Sequence, residues 1–168
     1  NVSLAEDDKA YVVYYADNVA AFSDRREAEA GEGGFDKAMP LESVFNILNG
    51  NHGQSHYAMQ VLNPKNEINY PTEDEISMDE HFYQSVIQNI TDNLKGITLD
   101  EEYINSLLAV LEANLTYIPS STSKKELADI SLYDHMKMTA AVASCVMQFL
   151  TAKGEKNYKQ SLFINAEK

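Results

Sequence analysis

The sequence is poor in the residues that mark several protein classes. Among its 168 residues there is one cysteine and no tryptophan, and no apolar run approaches the roughly 20 residues that a membrane-spanning helix needs. The single Cys145 excludes an internal disulfide, and its place in a helical apolar pattern predicts a buried, inert thiol. We therefore expect a soluble, cytoplasmic protein with no membrane partner.

Positive charge is also scarce, because 13 Lys and Arg stand against 26 Asp and Glu, for a net charge of -13. Most of the surface should repel a phosphate backbone, so the chain should not bind nucleic acid by itself. Its length and 44% hydrophobic residues suffice for one sizeable core. The chain starts at Asn1 without a secretory signal, and we expect an internal piece of a longer polypeptide.

Hydrophobic periodicity predicts a mostly α-helical α+β fragment, bundle-like, with one small antiparallel β-hairpin. A first helix over residues 4–22 should begin at a capping box of Ser3 and Glu6. Alternating residues on both sides of a turn-rich connector predict hairpin strands at 41–48 and 57–62, with a short third strand at 67–70.

The second half of the chain predicts three more helices, each with a start and a stop signal. The first helix should start at Ser77 and Glu80 and stop at Gly96. The second should start at Thr98 and Glu101 and stop at Pro119. The third should start at Ser131 and Asp134 and stop at Gly154. The first two helices should form an antiparallel pair. The tail 155–168 has an apolar face without a visible partner, so we expect that face to belong against a segment missing from this chain.

Asp17 is a carboxylate in an apolar setting. It falls on the predicted helical face of Val13 and Ala20, one turn to either side, which would direct it toward the core. A buried carboxylate is costly unless it is paired or bound to a metal. An ion pair with Arg25 or Arg26, or a misjudged face that leaves Asp17 exposed, remains open.

The pair Asp134-His135 has ligand types suited to a divalent ion. A hydrolytic metal site needs ligands from several elements, and the other histidines, His52, His56 and His81, show no ligand spacing. We expect an Asp in the first turn of a helix beside a partly buried His.

The hydroxyl-rich segment 120–123 lacks the glycines of a phosphate loop or a nucleophile elbow, so it should be a loop with capping hydroxyls. The sequence has no nucleotide fingerprint, zinc pattern or nucleophile triad. The chain alone therefore offers no catalytic and no cofactor-binding residue.

Two blocks of sequence carry a family resemblance. The first is YYADNVAAFSDRR at 14–26, and the second is PSST at 119–122 followed by ADISLYDH at 128–135 and TAA at 139–141. They resemble the segment that closes the HD domain, and the segment before the first palm domain, in large subunits of type III-A CRISPR effector complexes, the Csm type. Ala21 and Phe22 stand where the family has Ser and Gly, which leaves the local turn open.

The resemblance implies an antiviral protein whose HD domain cleaves single-stranded DNA with divalent metal. Asp17 looks like the final metal ligand of that domain, with the other ligands upstream of Asn1. The resemblance also implies synthesis of cyclic oligoadenylates from ATP in palm domains with a Gly-Gly-Asp-Asp loop, and this sequence has no such loop. Implied partners are the rest of the same chain, the other effector subunits and, only through the assembled complex, guide and target RNA.

On this basis the chain divides into four parts. Residues 1–26 form the C-terminal helix of an HD-type domain, 27–39 a flexible linker, 40–123 a connecting region, and 124–168 a long helix and tail leading to a palm domain. The expected role is structural and connecting. Rival hypotheses are a free-standing acidic helical interaction module and a small metallohydrolase that uses Asp17, Asp134 and His135.

Overall fold

The computed structural model describes residues 7–27, 33–50, 52–76, 79, 81–100 and 102–163. The chain forms two compact units. One combines Asn1–Asp24 with His135–Lys168, and the other is the continuous segment Arg25–Asp134.

Helix α1, Lys9–Asp24, belongs to the first unit and begins where the carboxylate of Asp7 accepts a hydrogen bond from the Lys9 N–H. The predicted capping box of Ser3 and Glu6 lies outside the described residues. The helix continues through Phe22 without a turn, so replacing the family's glycine here leaves a regular helix.

The C-terminal helix α5, Tyr158–Phe163, packs against α1. The Lys159 ammonium lies 5.3 Å from the centre of the Tyr11 ring, a cation–π contact. For residues 155–163 of the tail, the prediction that no partner is present in this chain is therefore wrong, whereas residues 164–168 lie outside the described part. Its partner is the first helix, which local sequence patterns cannot reveal.

Helix α4, Leu132–Ala152, starts as predicted. The Ser131 Oγ accepts a hydrogen bond from the Asp134 N–H at 3.0 Å and donates one to the Asp134 carboxylate at 2.8 Å. The hydroxyl thus satisfies a backbone donor that has no partner within the helix. Gly154 ends the helix with φ of 71°, a left-handed conformation that favours glycine.

Cys145 is exposed, contrary to prediction. It lies on α4 beside the exposed residues Ser144, Gln148 and Phe149, whereas Val146 and Leu150 lie on the more buried side. Within the ranges described above, none of the helices is long and apolar enough to cross a membrane.

The core of the second unit lies between α2, Phe82–Leu94, and α3, Tyr103–Leu115. The buried cluster contains Val86, Leu115, Ile118 and Tyr133, with Phe82, Tyr83, Ile90, Leu111 and Leu132 packed against it. The C-terminal part of α3 thus meets the N-terminal part of α2, and the antiparallel pair is confirmed.

Gly96 ends α2 with φ of 80°. The other predicted caps of this pair include Ser77, Glu80 and Glu101, which lie outside the described residues.

The hairpin is confirmed as an antiparallel pair, but its strands are short. Strand β1, Leu41–Glu42, pairs with β2, His56–Tyr57. Residues 43–48, predicted to extend the first strand, instead contain the short 3-10 helices Val44–Asn46 and Leu48–Gly50. The predicted third strand at 67–70 is also absent from the described residues, and Thr72 forms an isolated bridge to His56 instead.

Side-chain hydrogen bonds explain why the first strand stops. The Asn46 amide group donates to the Ser55 carbonyl at 2.7 Å and accepts from the Ser55 N–H at 3.0 Å. These bonds replace the ladder bonds that a longer strand would make. A Cβ atom on residue 53 would lie 2.9 Å from the Asn46 amide oxygen, so a side chain in place of Gly53 would displace this amide from its bonds to Ser55.

The described ends of the predicted linker 27–39 are bridged to a later loop. Glu27 forms an antiparallel bridge to Glu126, and Phe35 forms one to Ser123. Residues 28–32, where the linker's glycine-rich stretch begins, lie outside the described part of the chain. The division into 1–26, 27–39, 40–123 and 124–168 remains a prediction.

Replacing Leu115 by Ala should lower the free energy of unfolding by roughly 2–5 kcal/mol, because Leu115 is only 6% exposed in the cluster. The matched control is Leu99→Ala, at a position 80% exposed, which should change stability by no more than about 0.5 kcal/mol. Urea unfolding of both variants measures the difference. Equal losses of unfolding free energy in the two variants would contradict the burial of Leu115 in this core.

Candidate functional site

A buried histidine joins two carboxylates of α1 in the first unit. The Nε2 atom of His135 lies 3.0 Å from Asp17 Oδ1, and its Nδ1 lies 2.9 Å from Asp24 Oδ2. The His135 and Asp24 side chains are each 11% exposed. The cluster thus brings together residues separated by more than 100 positions in the sequence.

Helix geometry explains the arrangement. Asp17 and Asp24 are seven positions apart, about two turns of an α-helix, so both project from one stripe of α1. His135 belongs to the first turn of α4, whose start is fixed by the Ser131 cap. The imidazole ring therefore reaches both carboxylates from one anchored position.

The structure corrects the predicted environment of Asp17. The buried stripe of α1 runs through Val12, Ala16 and Ala20, while Val13 is 54% exposed. Asp17 lies at the edge of this stripe, with its side chain 55% exposed rather than directed into the core. The structure therefore supports the alternative in which the predicted face of α1 is misjudged and Asp17 is exposed.

The same geometry limits what the cluster can bind. A neutral imidazole has a lone pair on one ring nitrogen only, and in His135 each ring nitrogen lies within 3.0 Å of a carboxylate oxygen. Among the described residues, no group of three or more His, Cys, Asp or Glu could hold a metal ion. Of the two carboxylates, that of Asp17 is the accessible one, and a carboxylate oxygen is a donor type that suits a divalent ion.

The other candidate residues do not join this cluster. Asp134 turns to the Ser131 hydroxyl, as expected for a residue in the first turn. The His56 ring contacts the backbone carbonyls of Gln54 and Asp74. His81 contacts the Gln84 side chain.

In the second unit, further pairs link the same two blocks of sequence. Arg26 lies 3.1 Å from the carboxylate of Asp129, whose side chain is 2% exposed. Arg25 lies 3.6 Å from the Glu126 carboxylate, which also accepts a hydrogen bond from the Ser121 hydroxyl. Backbone pairing reinforces these contacts, because the Leu127 N–H donates to the Arg26 carbonyl at 2.9 Å. Within the 120–123 loop, the Ser121 and Ser123 hydroxyls accept hydrogen bonds from the Ser123 and Lys125 N–H groups, which is the capping role expected of them.

Sequence reasoning missed Asp24 and Glu126 as members of these pairs. The seven-residue spacing from Asp17 to Asp24 was the available signal, because it places both carboxylates on one stripe. His135 was expected to be partly buried, but not to contact Asp17.

An open cavity of about 410 Å³ lies near the hairpin in the second unit. Its lining includes Glu27, Glu42 and His52. Burial raises the pKa of the Glu42 carboxyl above its ordinary value of 4.5, and the nearby Asp129 charge raises it further. A cavity with such acidic walls disfavours phosphate groups.

Comparisons with known proteins give one consistent result at the level of sequence. No family model matches the chain. It is 35% identical over 167 residues to the CRISPR system single-strand-specific deoxyribonuclease Cas10/Csm1 (subtype III-A) of Mycobacterium tuberculosis, covering 97% of this chain and 20% of that protein. The protein of the same name from Enterococcus italicus is 37% identical over 174 residues, covering 99% of this chain and 23% of its own length. The chain thus spans about a fifth of the length of the curated relatives it matches.

Solved structures give the same result. Crystal structures of a Csm1-Csm4 cassette in complex with cA4, and in complex with one ATP, match with TM-scores of 0.57 at 32% identity. Each match covers 80% of this chain, and 16% and 15% of the respective solved chains. The mostly helical α+β fold is therefore shared with a segment of much longer proteins.

Glu42 gives a test of the electrostatics at the cavity. Because its folded-state pKa is raised, the folded chain holds this proton more tightly than the unfolded chain does, and stability falls as the pH rises from 4.5 through the raised value. Glu42→Gln should therefore stabilise the chain at pH 7 and flatten that fall.

Chemical unfolding between pH 4 and pH 8, roughly the range in which such a shifted carboxyl titrates, measures both effects. Glu112→Gln, on the exposed face of α3, is the control and should follow the wild type. If Glu42→Gln leaves the free energy of unfolding unchanged at neutral pH, the charged Glu42 carboxylate is not unfavourable in the folded chain.

Proposed function

Because the chain belongs to the Cas10/Csm1 family of subtype III-A CRISPR systems, we propose that it forms the connecting segment of such a large subunit. In this role it is not catalytic by itself. It holds the end of an HD-type nuclease domain, at α1, in register with the long helix α4 that leads toward a palm domain. The subunit acts in the cytoplasm, in antiviral defence.

The meeting of the two sequence blocks is the observation that carries this proposal. His135 of the second block contacts Asp17 and Asp24 of the first. Arg26 of the first block pairs with the buried Asp129 of the second. A segment whose recognisable residues mainly bind one another is suited to holding neighbouring domains in place.

Asp17 contributes one ligand to the divalent metal of the nuclease in this proposal. Its accessible carboxylate oxygen suits such an ion. The metal, when bound, supplies a water of lowered pKa and a clamp for the phosphate. The remaining ligands come from outside these 168 residues.

ATP and the other subunits are engaged mainly by other parts of the subunit. The solved relatives are Csm1-Csm4 cassettes in complex with cA4, ATP or pppApA. The present sequence lacks the Gly-Gly-Asp-Asp loop, and its net charge of -13 opposes direct binding of RNA. Guide and target RNA are therefore bound only through the assembled complex.

Two observations weaken the rival hypotheses. Docking of α5 on α1 removes the unpaired apolar tail on which a free-standing interaction module would depend. The contact between Asp134 and Ser131 removes one of the three residues needed by a small metallohydrolase.

A chimeric large subunit tests the proposal. This chain would replace the matching 169-residue stretch of the Streptococcus thermophilus relative, which is 33% identical to it. Assembled with its own subunits and target RNA, the chimera should cleave single-stranded DNA in the presence of Mn²⁺. Asp17→Asn should reduce the rate by more than about 100-fold, beyond the 10–100-fold typical of residues that only support a ligand.

Asp92→Asn, at an exposed position of α2, is the matched control and should leave cleavage unchanged. Cleavage that survives Asp17→Asn would eliminate Asp17 as a metal ligand. Metal-dependent cleavage by the isolated 168-residue chain would instead contradict the connecting role.

A further inference from the structure

The segment that interrupts the first hairpin strand buries its polar side chains and exposes its apolar ones. Ser43 and Asn46, three positions apart, are only 1% and 6% exposed. Four apolar side chains between 40% and 61% exposed form what we call the apolar patch: Val44, Phe45, Ile47 and Leu48. Single exposed apolar residues are ordinary, but a buried polar row beneath a group of exposed apolar side chains is informative.

Hydrogen bonds hold this reversed arrangement in place. The Asn46 amide group bonds in both directions to the backbone of Ser55, and the Ser43 N–H donates to the Ser55 carbonyl at 2.9 Å. Residues three apart lie on the same side of a 3-10 turn, so the inward row of Ser43 and Asn46 turns the apolar patch outward. A surface that is fixed in advance loses little conformational entropy when a partner binds it.

The apolar patch borders the acidic cavity near the hairpin, because Ile47 belongs to both. Glu27 and Glu42 line the same cavity. A second cavity of about 360 Å³ adjoins it and shares Glu42, Gly53 and Gln54 in its lining. An apolar surface and an acidic recess therefore meet at Ile47.

The Glu42 carboxylate forms no ion pair with any residue that the structure describes. The two arginines of this unit that form ion pairs use other carboxylates, Arg25 with Glu126 and Arg26 with Asp129. Burial raises the pKa of the Glu42 carboxyl, and the charge of Asp129 adds to this effect. A cation brought into the cavity from outside would stabilise the charged carboxylate.

We propose that the apolar patch and the adjoining cavity form one docking surface for a segment of a partner subunit in which an arginine is flanked by apolar residues. The arginine enters the cavity toward Glu42, and its apolar neighbours cover the patch. A guanidinium presents several N–H donors and is weakly hydrated, so it suits a partly buried carboxylate better than an ammonium does. All of these residues belong to the second unit, so the surface does not depend on the metal site proposed for α1.

Other occupants fit this surface less well. Acidic walls repel the phosphates of a nucleic acid. A second copy of the chain carries the same net charge of -13, which opposes self-association. The partner must therefore bring both positive charge and apolar side chains.

Nuclear magnetic resonance of the full 168-residue chain tests the surface with defined probes. The probe is a blocked peptide of sequence Leu-Arg-Phe-Leu, and two matched peptides replace its Arg by Glu or its apolar residues by Ser. At millimolar concentration the first peptide should shift the backbone amide signals of Ile47, Gly53 and Gln54. Each matched peptide should bind about 10-fold more weakly or worse.

Two variants separate docking from a structural role. Glu42→Gln should weaken peptide binding by about 10-fold while it stabilises the free chain at pH 7, and Glu112→Gln is its control. A residue with only a structural role would not move binding and stability in opposite directions. Ile47→Ser should weaken binding by about 5-fold, whereas Ile104→Ser, at a position 63% exposed on α3, should not.

The assembled chimera identifies the source of the partner segment. A photoreactive amino acid in place of Leu48 should cross-link the large subunit to another protein subunit, at a peptide that contains arginine beside apolar residues. A cross-link to RNA, or to another part of the large subunit, would overturn the proposal.

The peptide titrations give further outcomes against the proposed surface. Absence of amide shifts up to millimolar peptide would remove it, and equal binding of the Arg and Glu peptides would remove the role of the cavity. Shifts of the same amides by a short oligouridine would assign the surface to nucleic acid instead. Broadening of the patch signals as the concentration of the chain alone rises, lost in Ile47→Ser, would assign it to a second copy.

Discussion

A buried imidazole between two carboxylates is the interaction on which the first unit depends. The unit is assembled from segments at opposite ends of the sequence, Asn1–Asp24 and His135–Lys168. His135 provides its short polar contacts from α4 to α1, and α5 adds helix packing on α1 and a cation–π contact. Buried polar groups without partners are costly, so the His135 and Asp24 side chains favour this one registration of α1 against α4.

The second unit meets a comparable constraint with different residues. Asp129 is almost fully buried, and a carboxylate there requires a cationic partner. Arg26 supplies that partner. Backbone bonds, among them those from Glu42 to Ala128 and from Leu127 to Arg26, hold the loop in place. In both units, residues from the first sequence block stabilise residues from the second.

Features set by neighbouring residues could be predicted from the sequence. The Ser131 cap and the glycine at the end of α4 depend on contacts within a few positions, and both were predicted. The core pair α2 and α3 followed from apolar spacing alone.

Features set by distant partners could not be predicted. The face of α1 was misplaced by one position, because Val12 and Val13 are equally apolar and only the packed partner decides which one is buried. The hairpin strand was shortened by Asn46, whose side chain bonds to a backbone nine residues away. The link from His135 to Asp24 spans 111 positions and has no local pattern. Resemblance to a family marked both blocks as notable, but the contact between them came only from the fold.

The docking of α5 on α1 has a consequence for the order of folding during synthesis. The second unit, Arg25–Asp134, is continuous and has its own core, so it can fold while the later residues are still being added. Helix α1 is synthesised before this unit and α5 after it, so the contact between α1 and α5 forms only once the second unit has been synthesised. A pause in translation after Asp134 would therefore delay the packing of α5 on α1 without delaying the folding of the second unit.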